Sequence, residues 1–309
     1  MQHRSLGRSG LQVSLVGLGC NNFGGRLDLE RTRGVIDKAI ALGITFFDTA
    51  DVYGGGGKSE EFIGAALGDR RKQVVLATKF GKMSDAVPGT RGTRAYIRKA
   101  AEASLKRLKT DWIDLYYMHE PDPQTPIEET LGALDELTKA GKIRHAAASN
   151  FSAAQLDEAV ATAKRSGVAG FVATQEEYSL LVRDLEKGGL PAIERNGIGL
   201  VPYFPLASGM LSGKYRKGAP LPAGARLSGS GYDRYLTPAN WDKLEKLRAF
   251  AEARGHTVLE LAMSWLARHS GVASVIAGAT RPEQLEANAK AVDWALSDVE
   301  MAEVGKIAG

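Results

Sequence analysis

Short apolar runs rich in Val, Ile, Phe and Tyr alternate along the chain with longer stretches whose apolar residues recur at helical spacing. The runs cover 14–19, 44–48, 74–79, 112–118, 143–149, 171–175, 199–203 and 273–277. The helical patterns cover 29–42, 59–67, 93–108, 127–140, 153–165, 188–196, 239–254, 258–269 and 282–291. Strands that alternate with helices imply a parallel sheet. Runs apolar on both faces favour closure into an eight-stranded (β/α)₈ TIM barrel over an open doubly wound sheet. Ahead of the first run, residues 4–13 carry turn signals at Gly7 and Ser9-Gly10 and read as a small hairpin closing the barrel bottom. Ser152 with Gln155, and Thr125 with Glu128, fit capping boxes. Gly141 and Gly167 stand where helices should stop. The stretch 205–237, rich in Gly, Ser and Pro, is the longest loop, and long loops in compact domains are usually functional.

Composition changes this picture little. A prior of about 150 residues per domain would divide 309 residues in two, but α/β barrels exceed that length as one unit, so 1–309 reads as a single domain. Apolar residues make up 44% and charged residues 25%, as in ordinary globular proteins. The net charge of +4, from 40 basic and 36 acidic side chains, is too small and scattered for a nucleic-acid partner, but leaves room for a local site holding a phosphorylated small molecule. Cys20 is the only cysteine, so no intrachain disulfide is expected and a reducing, cytoplasmic setting fits. The polar start of the chain has no apolar signal core, and no run approaches the ~18 residues of a membrane span. The pattern specifies no oligomer.

Two glycine motifs are set aside. Gly54-Gly55-Gly56-Gly57-Lys58-Ser59 ends like a phosphate-binding P-loop, but Val52 stands where the first glycine is needed. Gly17-Leu18-Gly19-Cys20-Asn21-Asn22 lacks the third glycine of the dinucleotide fingerprint. Without a Cys pair or His-Glu-x-x-His, no metal site is expected.

Four polar residues stand out by position. Asp48 ends the second run, Tyr53 follows in its loop, Lys79 ends the third run, and His119 follows the fourth. All fall at C-terminal strand ends, where barrels place their active sites. Taken singly, Asp48 is more often a loop cap, Lys79 a solvated charge, and Tyr53 and His119 packing residues. Delivery by three successive strands to one rim favours chemistry, with Asp48 and Lys79 as mutual partners.

At Phe47-Asp48-Thr49-Ala50-Asp51-Val52-Tyr53-Gly54 the chain resembles the aldo-keto reductase signature. The resemblance continues through Ser149-Asn150-Phe151, Gln175, Tyr203-Phe204-Pro205-Leu206 and 278–284, and 205–215 is similar to the potassium-channel-β-subunit-like branch. It implies reduction of a small carbonyl substrate, with Tyr53 as general acid and Asp48, Lys79 and His119 assisting. A buried ammonium at Lys79 should lower the phenol pKa.

The resemblance further implies NADPH as cofactor. Ser149, Asn150 and Gln175 would hold the nicotinamide carboxamide and Tyr203 would stack on the ring. Gly19, Cys20, Asn21 and Asp48 would approach the same end. Phe204, Pro205, Leu206, Ala207, Ser208, Gly209, Leu211, Lys214 and Arg226 would meet the pyrophosphate through backbone amides and charge. Gly278, Thr280, Arg281, Gln284 and Asn288 would surround the adenosine, Arg281 facing a 2′-phosphate. Ala287 departs from the acid that many relatives carry there. Phe23, Tyr53, Phe80, Met83 and His119, with the loop around Tyr232 and Tyr235, are expected to line the substrate pocket. Two alternatives are a slow-turnover, cofactor-sensing binding subunit and a Schiff-base enzyme using Lys79. Asp48 argues against the second by keeping Lys79 protonated.

Overall fold

The computed structural model describes residues 1–82, 90–229 and 231–309. A hairpin, β1 (His3–Ser5) with β2 (Gln12–Ser14), comes first. Then β3 (Val16–Gly19), β4 (Phe46–Asp48), β5 (Val75–Phe80), β6 (Ile113–Met118), β7 (Ile143–Ser149), β8 (Phe171–Glu177), β9 (Gly199–Tyr203) and β10 (Val275–Gly278) form one parallel sheet in the order β10-β3-β4-β5-β6-β7-β8-β9. Leu200 closes the ring: its N–H donates to Gly271 and its carbonyl accepts from Ala273, both at 2.9 Å. The expected (β/α)₈ barrel is therefore the fold.

The surrounding helices are α1 (Leu29–Ala41), α2 (Lys58–Leu67), α3 (Arg94–Leu108), α4 (Ile127–Lys139), α5 (Ala153–Ser166), α6 (Gly189–Asn196), α7 (Pro238–Glu252), α8 (Val258–Arg268), α9 (Pro282–Lys290) and α10 (Asp298–Ala308). None is long and apolar enough to cross a membrane among the described residues. The Ser152–Gln155 capping box forms, and Gly167 ends α5 in the left-handed conformation. The Thr125 capping box does not. Thr125 instead donates to Asp122 at 2.9 Å, because the Asp122 carboxylate already gathers the N–H groups of Gly92 and Gln124. Pro126 is left as the α4 cap without a side-chain bond. Helix α10 was not expected. It carries its own capping box, Ser297 with Glu300, and buries Val304 and Ala308.

The barrel interior holds Phe46, Ala77, Leu115, Tyr117, Ala147, Ala173, Val201 and Ile276. The hairpin adds Leu6 and Val13 from below, both fully buried, contributing about 1.5–3 kcal/mol each. Gly7 makes that plug possible: a Cβ there would lie 2.6 Å from the Gly199 nitrogen. Side chains alternate along a strand. Two residues beyond Phe46 comes Asp48; beyond Ala77, Lys79; beyond Tyr117, His119; beyond Ala147, Ser149; beyond Ala173, Gln175; beyond Val201, Tyr203. The interior apolar layer thus sets a polar layer at the C-terminal rim.

Candidate active site

Lys79 is fully buried. Its ammonium donates to Asp48 Oδ2 at 2.6 Å and to the Thr49 carbonyl at 2.9 Å. Gln175 Nε2 donates to the other Asp48 oxygen at 2.8 Å. Desolvation works against the ammonium, but Asp48 and Tyr53 outweigh it, so the Lys79 pKa is raised and the group is charged at neutral pH. The Lys79 nitrogen lies 5.0 Å from the Tyr53 ring centre, and the Tyr53 ring meets His119 edge-on at 5.9 Å.

Burial pushes the Tyr53 pKa up; Lys79 pulls it down but does not win. The expectation of a net lowered phenol is corrected here, because the pocket that seats the Lys79 cation also desolvates the phenol. His119 is anchored through its N–H to the Phe80 carbonyl at 2.8 Å and through its carbonyl to Asn150 Nδ2 at 3.0 Å. Burial, Lys79 and Lys82 press its pKa down to about 2, so the imidazole is neutral. Its buried Nδ1 has no hydrogen-bond partner among the described residues. An NMR pH titration should show no His119 ionisation between about pH 5 and 9; a midpoint near the ordinary ~6.5 would overturn its neutrality.

A cleft of about 1020 Å³ runs from this rim. Of the residues expected around a cofactor, Gly19, Cys20, Asn21, Asp48, Ser149, Asn150, Gln175 and Tyr203 line its inner end. Phe204, Pro205, Leu206, Ser208, Gly209, Lys214, Arg226, Gly278, Thr280, Arg281, Gln284 and Asn288 line the rest, and Ala287 lies beside them. Asn150 holds a left-handed backbone, φ 61°, and its Oδ1 accepts the Tyr203 hydroxyl at 2.8 Å. Ala207 and Leu211 are buried. The N–H groups of Ala207, Gly209 and Leu211 bond to Phe204 or Leu206 within their own turn. Charge, more than these three amides, is what the loop offers an anion.

The apolar pocket residues are corrected. Phe23 and Phe80 are fully buried, and Phe80 packs on Tyr116 at 4.7 Å between ring centres. Phe80 points outward from the barrel because Lys79 beside it on β5 takes the inward position, and Phe23 is buried in the loop after β3, bridged to Leu27. Tyr235 is also buried, its hydroxyl bonded to Glu177. It is Arg234, rather than Tyr232 or Tyr235, that reaches the cleft. Met83 lies outside the described residues.

Arg26, Asn22, Lys82 and Glu177 line the cleft and were not expected to. Arg26 is the consequential one. It sits on the loop after β3 and lies close enough to Lys214, with Arg226 and Arg281, to depress the Lys214 pKa behind the larger effect of desolvation. Among the described residues none of these four cations forms a salt bridge with a carboxylate. Arg226 instead donates to Asn22 Oδ1 at 3.0 Å, joining the loop after β9 to the loop after β3 across the cleft. A Gly-Gly-Arg in the loop after a barrel strand was the available signal for Arg26.

The sequence model of the Aldo/keto reductase family matches residues 15–308. A protein of Arabidopsis thaliana described as a probable voltage-gated potassium channel subunit beta is 39% identical over 303 residues, covering 95% of this chain and 92% of its own. The L-glyceraldehyde 3-phosphate reductase of Escherichia coli (strain K12) is 35% identical, covering 95% of this chain and 88% of its own. An uncharacterized oxidoreductase of Bacillus subtilis (strain 168) is 38% identical, covering 96% and 92%.

Proposed function

Since the chain belongs to the aldo/keto reductase family and is an NAD(P)H-dependent oxidoreductase, we propose that it reduces small aldehydes or ketones with NADPH, Tyr53 delivering the proton. The observation that carries this reading is the buried Asp48–Lys79 pair beneath Tyr53, at one end of a cleft whose other reaches hold four cations without carboxylate partners among the described residues.

The residues fit a nicotinamide dinucleotide on their own chemistry. The cations suit phosphates, and the side chains of Ser149, Asn150 and Gln175 suit a carboxamide that both donates and accepts. When bound, the dinucleotide supplies the hydride. The chain supplies the rest. Tyr203, tethered to Asn150, offers a ring on which nicotinamide stacks. Neutral His119 hydrogen-bonds the carbonyl oxygen of the substrate. Burial keeps the Tyr53 proton in place until that oxygen takes it, and Lys79 stabilises the phenolate left behind. Asp48 holds Lys79 charged and oriented. The lone, buried Cys20 suits a reducing cytoplasm, where we place the activity.

A steady-state assay of NADPH oxidation with a panel of aldehydes and ketones tests the reaction; no turnover with any member would refute it. The cofactor preference has its own test. Arg281→Ala should weaken NADPH roughly tenfold and leave NADH nearly unchanged, whereas Arg26→Ala should weaken both by a similar factor, the scale of one charged hydrogen bond. Equal efficiency of the parent protein with NADPH and NADH would remove the 2′-phosphate contact.

A further inference from the structure

Lys82 lines the cleft and takes no part in the proposed reaction. The chain reaches it through Gly81, whose left-handed φ of 78° turns the backbone out of β5 after Phe80. Phe80 lies beside the start of the loop after β6, its carbonyl accepting the His119 N–H at 2.8 Å. One step further out, the Lys82 ammonium donates to the Glu120 carboxylate, and Glu120 directly follows His119. This ion pair therefore stands on the same rim as the imidazole that holds the substrate carbonyl oxygen in the reading above.

The two partners are not equally placed. Glu120 is the more buried side chain, 18% exposed against 39% for Lys82, and of the two only Lys82 lines the cleft. The carboxylate thus holds the ammonium from behind. An ammonium has three donors, and no second acceptor takes one of them among the described residues. Arg234 borders the cleft as well, but so does Glu177, its partner at 3.0 Å, and that pair presents no net charge. Arg26, Lys214, Arg226 and Arg281 stand together at the phosphate end. Among the described residues Lys82 is left as the cation on the substrate side. No apolar wall shields it there, since Phe23 and Phe80 are both fully buried and stay out of the cleft. Its charge also acts at His119, adding to burial and Lys79 in holding the imidazole neutral. A cation this near the reacting carbonyl favours a substrate that brings the opposite charge.

We propose that Lys82 is a specificity-determining residue: its ammonium pairs with an anionic group, a carboxylate or a phosphate, carried by a small carbonyl substrate. The inference rests on the reductase reading above and narrows its substrate class. A short spacer between carbonyl and anion fits the arrangement, since His119 and Glu120, which anchors Lys82, are consecutive residues.

The test follows NADPH oxidation by parent and Lys82→Gln protein with two matched pairs of aldehydes: succinic semialdehyde against its methyl ester, and glycolaldehyde phosphate against glycolaldehyde. At low salt the parent is expected to favour the charged member of at least one pair in kcat/KM, and the pair in which it does so tells carboxylate from phosphate. Lys82→Gln should lower kcat/KM for that charged member roughly tenfold more than for its neutral counterpart, chiefly through KM, the scale of a hydrogen bond to a charged group. Lys82→Arg, which keeps the cation, should restore most of the preference. Added salt should erode the preference of the parent, because Lys82 is open to solvent, and this readout stands even if Lys82→Gln does not fold. Equal efficiency with both members of both pairs, or a preference that neither salt nor Lys82→Gln reduces, overturns the role of Lys82. A parent that reduces neutral aldehydes but neither charged probe overturns it as well. Absence of turnover with every aldehyde, charged or neutral, is a different outcome and overturns the reductase reading itself.

Discussion

Tyr53→Phe is expected to lower kcat for carbonyl reduction by roughly 10²–10⁴-fold, the scale of general acid catalysis, while leaving the Kd for NADPH within about twofold. The change removes one oxygen and keeps the ring that packs edge-on against His119. Lys79 retains Asp48 and the Thr49 carbonyl as hydrogen-bond partners, so the buried charge stays compensated. Neither neighbour replaces the lost acid. His119 is neutral and lacks an ionisable proton at its depressed pKa of about 2, and Lys79, whose pKa is raised, holds its proton more tightly than an ordinary lysine. Single-turnover oxidation of bound NADPH separates this loss from product release. A variant that kept parental single-turnover rates would remove Tyr53 as proton donor.

The second large effect falls on stability. Lys79→Met leaves the Asp48 carboxylate buried with Gln175 as its remaining side-chain partner, and breaking a buried pair from one side costs about 3–5 kcal/mol. Removing both charges, as in the Asp48→Leu, Lys79→Met double variant, should recover part of that loss. The pH dependence has a definite sign. The folded-state pKa of Lys79 lies above its unfolded value near ~10.4, so its contribution is complete below that pH and fades as pH rises through the higher folded value. The parent should therefore lose an alkaline increment of stability that Lys79→Met lacks. Urea unfolding at neutral and alkaline pH measures both. A neutral-pH cost under about 1 kcal/mol would mean that water, rather than the pair, compensates Asp48.

The legibility of this molecule follows from periodicity. Because side chains alternate along each strand, the inward apolar residues Phe46, Ala77, Tyr117 and Ala173 predict that Asp48, Lys79, His119 and Gln175 reach the same interior two positions later. Helix starts with local signals, such as Ser152 with Gln155, were equally readable. Thr125 misled because its hydroxyl had a competing partner, the Asp122 carboxylate, which also draws in Gly92 from a different loop. Helix α10 escaped notice although Ser297 and Glu300 spell its cap; it lies beyond the eighth strand–helix unit and buries little apolar surface of its own.

The sequence by itself determined the barrel and the placing of Asp48, Tyr53, Lys79 and His119 at the C-terminal ends of its strands, since strand alternation and local order are one-dimensional properties. The tertiary structure alone decided what depends on burial and on distance between loops. It turned Phe23 and Phe80 into the packing layer and left Arg26 facing Lys214 across the cleft. It also let desolvation override the pull of Lys79 on the Tyr53 phenol. Charge and desolvation act through space, and which residues share that space is settled only when the ring of strands closes.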